Sequence, residues 1–356
     1  MKQTSVLFII PYPLDKAPSQ RFRVEAFLPG LQAAGINCTL RPFITLATWQ
    51  ILYKSGSALK KTFGIFSGYF KRLKTILFEA AQYDFIFIHR EAAPLGPPVF
   101  EWYLAKVLKK KIIYDFDDAI WTSPVKEPLL KRSLSFRKKV GMICSWSYHN
   151  MAGNRFLADY ASQFSKQVSV IPTVVDTCNR YHNTKVHQSG PVVLGWTGSN
   201  STNPYLEAMC SPLQKLQEQG IQFLFISSEP PKLDLPQSRF VKWVEETEIK
   251  DLMEMDLGWM PLPDNEWTKG KCGFKAIQYM ALGIPALVSG VGVNTEIVDD
   301  GVNGYICNTD EDWVEKSALL ANDSELRAAM GKAAKQKIQD QYSVKAVLPK
   351  ILALFR

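Results

Sequence analysis

A short segment, residues 269–275, combines positive charge with glycine in a way that suits an anionic ligand. Its members are Lys269, Gly270, Lys271, Gly273 and Lys275. The apolar residues that follow recur at helical spacing and predict a helix over 274–281. A helix N-terminus offers unpaired N–H groups and the positive end of a dipole, so the segment predicts a phosphate site. The alternative is a solvated basic loop before an ordinary core helix.

Three carboxylates, Asp115, Asp117 and Asp118, follow a predicted buried strand that begins near Ile112. Like charges this close are costly unless a cation or a hydrogen-bond donor meets them. At the carboxyl end of a strand they are suited to bind sugar hydroxyls, to orient an acceptor or to act as a base. Helix capping and loop hydrogen bonds are the alternative, and Asp-x-Asp-Asp alone is weak support for a metal.

Basic residues follow the first predicted strand, Ser5–Ile10. Ser19 is expected to cap a helix that runs through Leu31, which would put Arg21 and Arg23 in its first turn. Cations are disfavoured there, so an anionic partner or an acidic neighbour is expected. A second strand ends in His89.

Strands and helices alternate along the whole chain, which predicts an α/β protein with parallel sheets. The length of 356 residues is comfortable for two domains. Residues 177–190 are polar and fit a linker between them.

The segment Tyr279-Met280-Ala281-Leu282-Gly283-Ile284-Pro285, with Asn294–Val298 and Asp300–Gly304 after it, resembles the donor-binding region of the retaining GT-B glycosyltransferases, in particular family 4. The likeness is strong from about 256 to 305 and weaker elsewhere. This chain departs from the family's Glu-x7-Glu pattern, because Gly270 and Gln278 stand at the two glutamate positions. It therefore resembles a variant branch.

The resemblance implies a GT-B fold, with two Rossmann-like parallel-sheet domains facing a cleft. Residues 1–172 would bind the acceptor and 173–340 the nucleotide-sugar donor, and helix 341–356 would cross back to the first domain. It also implies transfer of a sugar from a nucleoside diphosphate to a hydroxyl. The basic first half of the chain suggests that this hydroxyl belongs to a glycan or lipid-linked saccharide. Retention of anomeric configuration is implied too, with no cofactor and no metal needed for catalysis.

Residue type, position along the chain and the resemblance together give the candidate site residues. Donor-binding candidates are Thr197, Gly198, Ser199, Trp243, Lys271, Gly273, Phe274, Lys275, Gln278, Asn294 and Glu296. Acceptor-binding candidates are Arg21, Arg23 and His89. Catalytic candidates are Asp117, Asp118 and Lys275, the lysine neutralising the leaving diphosphate and the aspartates orienting acceptor or sugar.

Region 47–80 interleaves aromatic and aliphatic residues with lysines. This pattern fits a pair of interfacial amphipathic helices on an anionic bilayer. A nucleic-acid groove also uses basic and aromatic residues, but no nucleic acid is expected here. Ordinary helices packed on a sheet with one wet face are the alternative.

Charge is unevenly distributed: residues 1–170 hold 24 Lys and Arg against 11 Asp and Glu, whereas 171–356 hold 18 against 23. Only the first half is therefore expected to meet an anionic surface. No apolar run has transmembrane length, and the first strand is too short for a signal peptide. The six scattered cysteines lack metal-ligand spacing, so we expect reduced thiols and a cytoplasmic protein, peripheral on the inner face of the membrane if region 47–80 binds there.

Two other functions stay open at this point. A nucleotide-sugar 2-epimerase on the same fold would need acid and base residues but no acceptor surface. A non-catalytic nucleotide-sugar binder or scaffold would tolerate the loss of both family glutamates.

Overall fold

The computed structural model describes residues 3–52, 54, 56–122 and 136–356. The chain forms two compact units. The first comprises Met1–Thr173, Gly270–Cys272 and Val347–Arg356, and the second comprises Val174–Lys269 and Gly273–Ala346.

The first unit is built on a six-stranded parallel sheet with the order β2-β1-β3-β4-β5-β6. Its strands are β1 (Ser5–Ile10), β2 (Asn37–Pro42), β3 (Phe85–His89), β4 (Lys111–Phe116), β5 (His149–Ala152) and β6 (Val168–Val170). Strands β1, β3 and β4 are almost wholly buried, which explains their continuous apolar sequence.

The described residues of the first unit form seven α-helices. They are α1 (Pro18–Arg23), α2 (Leu28–Ala33), α3 (Leu46–Leu52), α4 (Ala58–Lys74), α5 (Val99–Trp102), α6 (Lys139–Trp146) and α7 (Arg155–Ser162). Short 3-10 turns occupy Glu25–Phe27 and Ala80–Gln82, and π turns occupy Thr75–Glu79 and Tyr103–Val107.

The prediction of one helix from Ser19 to Leu31 was wrong. Ala17 is the N-cap, and Pro18 takes the first helical position, where its missing N–H costs nothing. The helix then breaks at Val24, which has φ −122° and ψ −62°.

The second unit has its own six-stranded parallel sheet, with the order β12-β11-β10-β7-β8-β9. Its strands are β7 (Val193–Thr197), β8 (Gln222–Ser227), β9 (Ser238–Lys242), β10 (Leu257–Met260), β11 (Ala286–Ser289) and β12 (Gly304–Cys307). A core of buried residues that includes Trp196, Trp259 and Trp313 packs against this sheet.

The remaining helices are α8 (Asn203–Glu207), α9 (Cys210–Glu218), α10 (Glu248–Leu252), α11 (Glu266–Lys269), α12 (Phe274–Ala281), α13 (Asn294–Ile297), α14 (Asp310–Asn322), α15 (Ser324–Gln341) and α16 (Val344–Ala353). The predicted helix over 274–281 is confirmed, as are two parallel-sheet domains of α/β type. In α16 the chain passes from the second unit to the first, where the Phe355 ring contacts Phe85 edge-on.

Candidate functional site

In the first unit the strand order reverses between β1 and β3, which are neighbours although β2 lies between them in sequence. Open parallel sheets bind ligands outside the carboxyl ends of their strands at such a point. Helix α1, which follows β1, brings Ser19 to this edge, β3 brings His89, and β4 brings Asp115.

These three side chains form a hydrogen-bonded chain. Ser19 Oγ lies 2.9 Å from His89 Nε2, and His89 Nδ1 lies 2.6 Å from Asp115 Oδ2. His89 and Asp115 are fully buried, whereas Ser19 is partly exposed. Ser19 is therefore the member of this hydrogen-bonded series that a substrate can reach.

Arg23 fixes the inner end of this chain. Its guanidinium forms a buried ion pair with Asp115 and also donates to the carbonyl oxygen of Ile171. Desolvation opposes the charge on Arg23, but Asp115 outweighs it and the arginine pKa is raised. Asp115 is the acidic neighbour that the sequence required. Because both side chains are fully buried, we revise Arg23 and His89 from acceptor contacts to positioning residues.

Arg21 is 7% exposed, and its guanidinium lies over the ring of Phe22, 5.0 Å from the centroid. It differs from Arg23 in that it lies outside the Asp115 ion pair. Its predicted acceptor contact stays a prediction.

Asp117 and Asp118 follow β4, and both form ion pairs with basic side chains. Arg90 contacts both, with N–O distances of 2.8 Å and 2.6 Å, and Lys271 Nζ lies 2.7 Å from Asp118 Oδ1. Burial alone would raise the pKa of Asp117, but the charge of Arg90, reinforced by that of Arg23, outweighs it and holds the pKa well below its usual range. A carboxylate with so low a pKa is a weak base, so it orients a hydroxyl better than it deprotonates one.

Three residues of the predicted donor loop, Gly270–Cys272, belong to this first unit. Lys271 pairs with Asp118, so its charge already has a partner and is poorly suited to carry a donor phosphate. The Cys272 thiol donates to the carbonyl oxygen of Asp117 at 3.1 Å, and burial raises its pKa to about 12. A thiol held in its neutral form is a structural contact rather than a nucleophile.

The second unit has its own reversal of strand order, between β7 and β10. The predicted donor residues Thr197, Gly198 and Ser199 lie at the carboxyl end of β7. The N–H of Thr197 donates to the Tyr279 hydroxyl at 2.8 Å, and that of Ser199 donates to Thr202 Oγ1 at 3.0 Å.

Helix α12 begins beside this edge. Gly273 precedes it with φ +65°, the left-handed conformation that favours glycine, and a Cβ there would collide with Ile297. Phe274 and Lys275 form the first turn, and Lys275 Nζ lies 5.5 Å from the centroid of the Trp196 ring. Of the elements that the sequence predicted for a phosphate site, the glycine turn, the helix and Lys275 are present, whereas Lys269 pairs with Asp264 and Lys271 with Asp118.

Asn294, at the start of α13, adds a polar atom next to Gly273. Its side chain is 1% exposed and its Nδ2 donates to Ser289 O at 3.1 Å. Its Oδ1 accepts no hydrogen bond from the described residues and lies 3.4 Å from the position that a Gly273 Cβ would take. A buried acceptor without a donor is unfavourable, so this oxygen is suited to receive a ligand N–H or O–H. Glu296, on the same helix, is exposed.

Gln278 lies in a buried polar cluster. Its Nε2 donates to the Tyr181 hydroxyl at 2.7 Å and to Glu248 Oε1 at 3.2 Å. Glu248 also accepts from Trp243 Nε1 at 3.0 Å and from Arg180 at 2.7 Å. The amide nitrogen of Gln278 and the indole nitrogen of Trp243 therefore have internal partners, which argues for structural roles at both predicted donor positions.

Sequence reasoning named Ser19, His89 and Asp115 separately but did not join them, and it missed the parts played by Arg90 and Glu248. The Ser19–His89–Asp115 chain, the role of Arg90 and the Glu248 cluster join positions far apart in sequence. The usable signal was that Ser19, His89 and Asp115 each follow or end a buried strand.

Across the described part of the chain, no group of three or more His, Cys, Asp or Glu side chains is arranged to hold a metal ion. Likewise, no helix among the described residues is long and apolar enough to cross a membrane.

Comparison with known proteins agrees with the parallel-sheet fold of the two units. Residues 232–337, which contain β9 to α14, match the family described as glycosyl transferases group 1. No curated protein matches the sequence significantly.

Solved structures match over almost the full chain. Sucrose-phosphate synthase from Thermosynechococcus elongatus is 13% identical, with 99% of this chain and 98% of that chain covered and a TM-score of 0.72. HepE from Anabaena in complex with UDP-glucose is 14% identical, with 98% of each chain covered and a TM-score of 0.68. The catalytic domain of starch synthase IV from Arabidopsis thaliana, bound to ADP and acarbose, is 11% identical, with 99% of each chain covered and a TM-score of 0.69.

The chain thus has the GT-B fold, with two parallel-sheet units of the Rossmann-like type. The fold together with the matched segment supports a glycosyltransferase.

Proposed function

We propose that this protein transfers a sugar from a nucleoside diphosphate to a hydroxyl of a glycan or lipid-linked saccharide, as a variant of glycosyltransferase family 4. The observation that carries the proposal is the arrangement around Gly273. A left-handed glycine precedes α12, Lys275 lies in the first turn, and the buried Asn294 Oδ1, which accepts no hydrogen bond from the described residues, lies close to Gly273. The segment that holds these residues is the one matched by the glycosyl transferases group 1 family.

In this proposal the second unit binds the donor. The α12 N-terminus and Lys275 stabilise the diphosphate as it leaves, and Asn294 Oδ1 accepts a hydrogen bond from the donor. Thr197, Gly198 and Ser199 line the β7 edge. Phe274 and Glu296 remain proposed donor contacts, whereas Gln278 and Trp243 support the site from inside.

The first unit binds the acceptor in this proposal. Asp117 and Asp118 stay ionised and orient hydroxyl groups, and Arg21 remains a proposed acceptor contact. Because the ionised aspartates are weak bases, the acceptor proton passes to the leaving diphosphate, which implies a retaining reaction. We propose that no metal is required, since Lys275 and helix N–H groups supply the positive charge.

We propose a cytoplasmic protein that works against the inner face of a membrane. Two features support this. The described chain contains six free cysteines, which suits a reducing compartment, and its first half is strongly basic.

The test is calorimetric titration with UDP, ADP, GDP and their sugar conjugates, using wild type, Lys275→Ala and the exposed control Lys332→Ala. One nucleotide is expected to bind, and Lys275→Ala should weaken it about 10- to 100-fold, as for a charged hydrogen bond. The control should bind like wild type. Absence of binding by the folded protein would contradict the donor site.

The same samples separate the other two functions. Incubation with the bound nucleotide sugar and analysis of the sugar by NMR should show transfer to an added acceptor or slow transfer to water. Inversion at the sugar C2 without an acceptor would identify an epimerase. Binding without turnover, for any acceptor tried, would favour the scaffold.

A further inference from the structure

The outer face of α4 exposes an apolar stripe, defined here as Leu59, Phe63, Phe66, Phe70 and Leu73. The residues recur at intervals of four and three, so they share one side of the helix. Leu59 is 87% exposed and the three phenylalanines are 70–76% exposed. Leu77 and Phe78, in the π turn that follows, are exposed as well. Contiguous apolar surface of this kind marks an interaction site.

Packing on the inner face of α4 directs the stripe outward. Gly64 and Gly68 face the unit so closely that an added Cβ would lie 2.5 Å from Thr48 Cγ2 and 2.7 Å from Phe43 Cε1. No larger side chain fits there. The large apolar residues therefore cannot rotate into the core.

Arg72 holds α4 in the same orientation. It is 2% exposed, and its three guanidinium nitrogens donate to the carbonyl oxygens of Ala92, Arg41 and Ile10 at 2.8, 3.0 and 3.1 Å. Rotating the helix would break all three hydrogen bonds and leave a buried charge without partners. The exposure of the stripe is thus a fixed feature of the fold.

The charged side chains in the segment around the stripe are all positive. Residues 26–78 contain no Asp or Glu, while Lys54, Lys60, Lys71 and Lys74 are exposed. A second copy of this chain would bring the lysines of this segment against one another, because residues 26–78 hold no carboxylate to pair with them. An anionic lipid surface complements both the charge and the apolar stripe.

We propose that the outer face of α4 docks the protein on an anionic bilayer. The helix lies in the interface plane, its phenylalanines enter the boundary between head groups and acyl chains, and the lysines contact lipid phosphates. No helix among the described residues could cross the bilayer, so the docking is peripheral. The inference rests on the location at a membrane given in the proposed function and deepens it by naming the docking surface; it is independent of glycosyl transfer, because lipid docking requires neither a donor nor an acceptor.

The test is flotation of the full chain with phosphatidylcholine vesicles and with vesicles containing about one third phosphatidylglycerol. Binding is expected to the anionic vesicles only, weakening at about 0.5 M NaCl as the lysine contacts are screened. The double variant Phe66→Ser/Phe70→Ser should bind at least tenfold more weakly, because two large apolar side chains no longer leave water. The matched control, Val186→Ser/Val302→Ser, removes exposed apolar groups from the second unit and should bind like wild type.

A charge variant tests the second half of the proposal. Lys71→Glu/Lys74→Glu should lose binding to anionic vesicles several-fold, whereas Lys250→Glu/Lys332→Glu should not. The proposal would be overturned if the wild-type protein did not bind anionic vesicles, or if the serine variant bound them as tightly as wild type does. A wild-type dimer in sedimentation velocity that the serine variant dissociates, without vesicle binding, would identify a second copy as the occupant instead. Nucleotide titration is a separate measurement, so failure of docking is distinguishable from failure of the transferase assignment.

Discussion

At the residue scale, the hydrogen bonds that join Ser19, His89 and Asp115 determine which ring nitrogen of His89 carries a proton. Asp115 is paired with Arg23 and acts as an acceptor, so His89 Nδ1 carries the ring proton. Nε2 is then suited to accept from Ser19 Oγ–H, for which Asp117 is a second acceptor. We propose that the lone pairs of the serine oxygen accept a hydrogen bond from an acceptor hydroxyl.

This tautomer leads to a prediction for Ser19→Ala. Loss of one neutral hydrogen bond to the acceptor should lower kcat/KM for transfer about 3- to 10-fold, while the Kd for the nucleotide stays unchanged. Ser19→Thr should restore activity, because it keeps the hydroxyl. In 15N NMR of the four histidines, His89 should be the Nδ1–H form, and its Nε2 signal should shift in Ser19→Ala. An Nε2–H form in wild type would contradict the chain.

Asp117 gives a prediction on pH. Its pKa is lowered in the folded protein, so its ion pair with Arg90 stabilises the fold above the unfolded-state pKa of about 3.9 and is lost as the pH falls further. Asp117→Asn should cost about 3–5 kcal/mol at neutral pH, as when one partner of a buried pair is removed. Denaturant unfolding from pH 7 to pH 3 should show this deficit shrinking only at the acidic end. A deficit that does not change with pH would contradict the assignment.

The surroundings of Gln278 give a physical reason why glutamine suits this position better than glutamate. Its amide donates to Glu248, and a carboxylate in its place would have no proton to donate and would repel Glu248. Gln278→Glu should therefore destabilise the protein by about 2–4 kcal/mol at neutral pH, whereas Gln214→Glu, on the exposed face of α9, should be nearly neutral. Thermal unfolding measures both. An equally stable Gln278→Glu would show that the cluster tolerates two carboxylates.

At the scale of elements, the turn into α12 depends on one backbone conformation. Gly273→Ala puts a Cβ on a residue with φ +65° and drives it against Ile297. We expect a loss of about 2–4 kcal/mol from strain and overpacking, together with weaker nucleotide binding. Gly220→Ala, at φ +83° with open space around it, carries the strain without the collision and is the matched control. Equal losses in the two variants would contradict the packing argument.

Helices α1 and α4 show how packing decides what local sequence leaves open. Residues 18–31 contain capping and apolar features that suit one helix, yet the chain breaks at Val24, and Arg23 reaches Asp115. In α4 the apolar period is regular, but the buried side is the one with Gly64, Gly68 and Arg72. Periodicity identifies a face; the available space decides which face is buried.

At the scale of the whole molecule, the last residues complete the first unit. Val347, Ile351 and Phe355 are buried, and a Cβ on Gly30 would collide with Leu348. Deleting residues 347–356 should destabilise the first unit by about 4–8 kcal/mol, the transfer free energy of three large apolar side chains. Hydrogen exchange followed by mass spectrometry should show the loss of protection in β3 first. Protection unchanged in β3 would contradict this role, and deletion of Arg356 alone is the control.

The amino-acid sequence determined the local features: the buried strands, the helix over 274–281, the parallel α/β architecture and the basic, aromatic character of region 47–80. These follow from periodicity, capping and composition within a few turns of chain. Tertiary structure alone joined Ser19 to His89, 70 residues away, and Gln278 to Glu248, because strand order and loop approach bring distant positions together. It also decided that Lys271 pairs with Asp118 and that the stripe of α4 faces outward, since partner choice and burial depend on the space that the whole fold leaves.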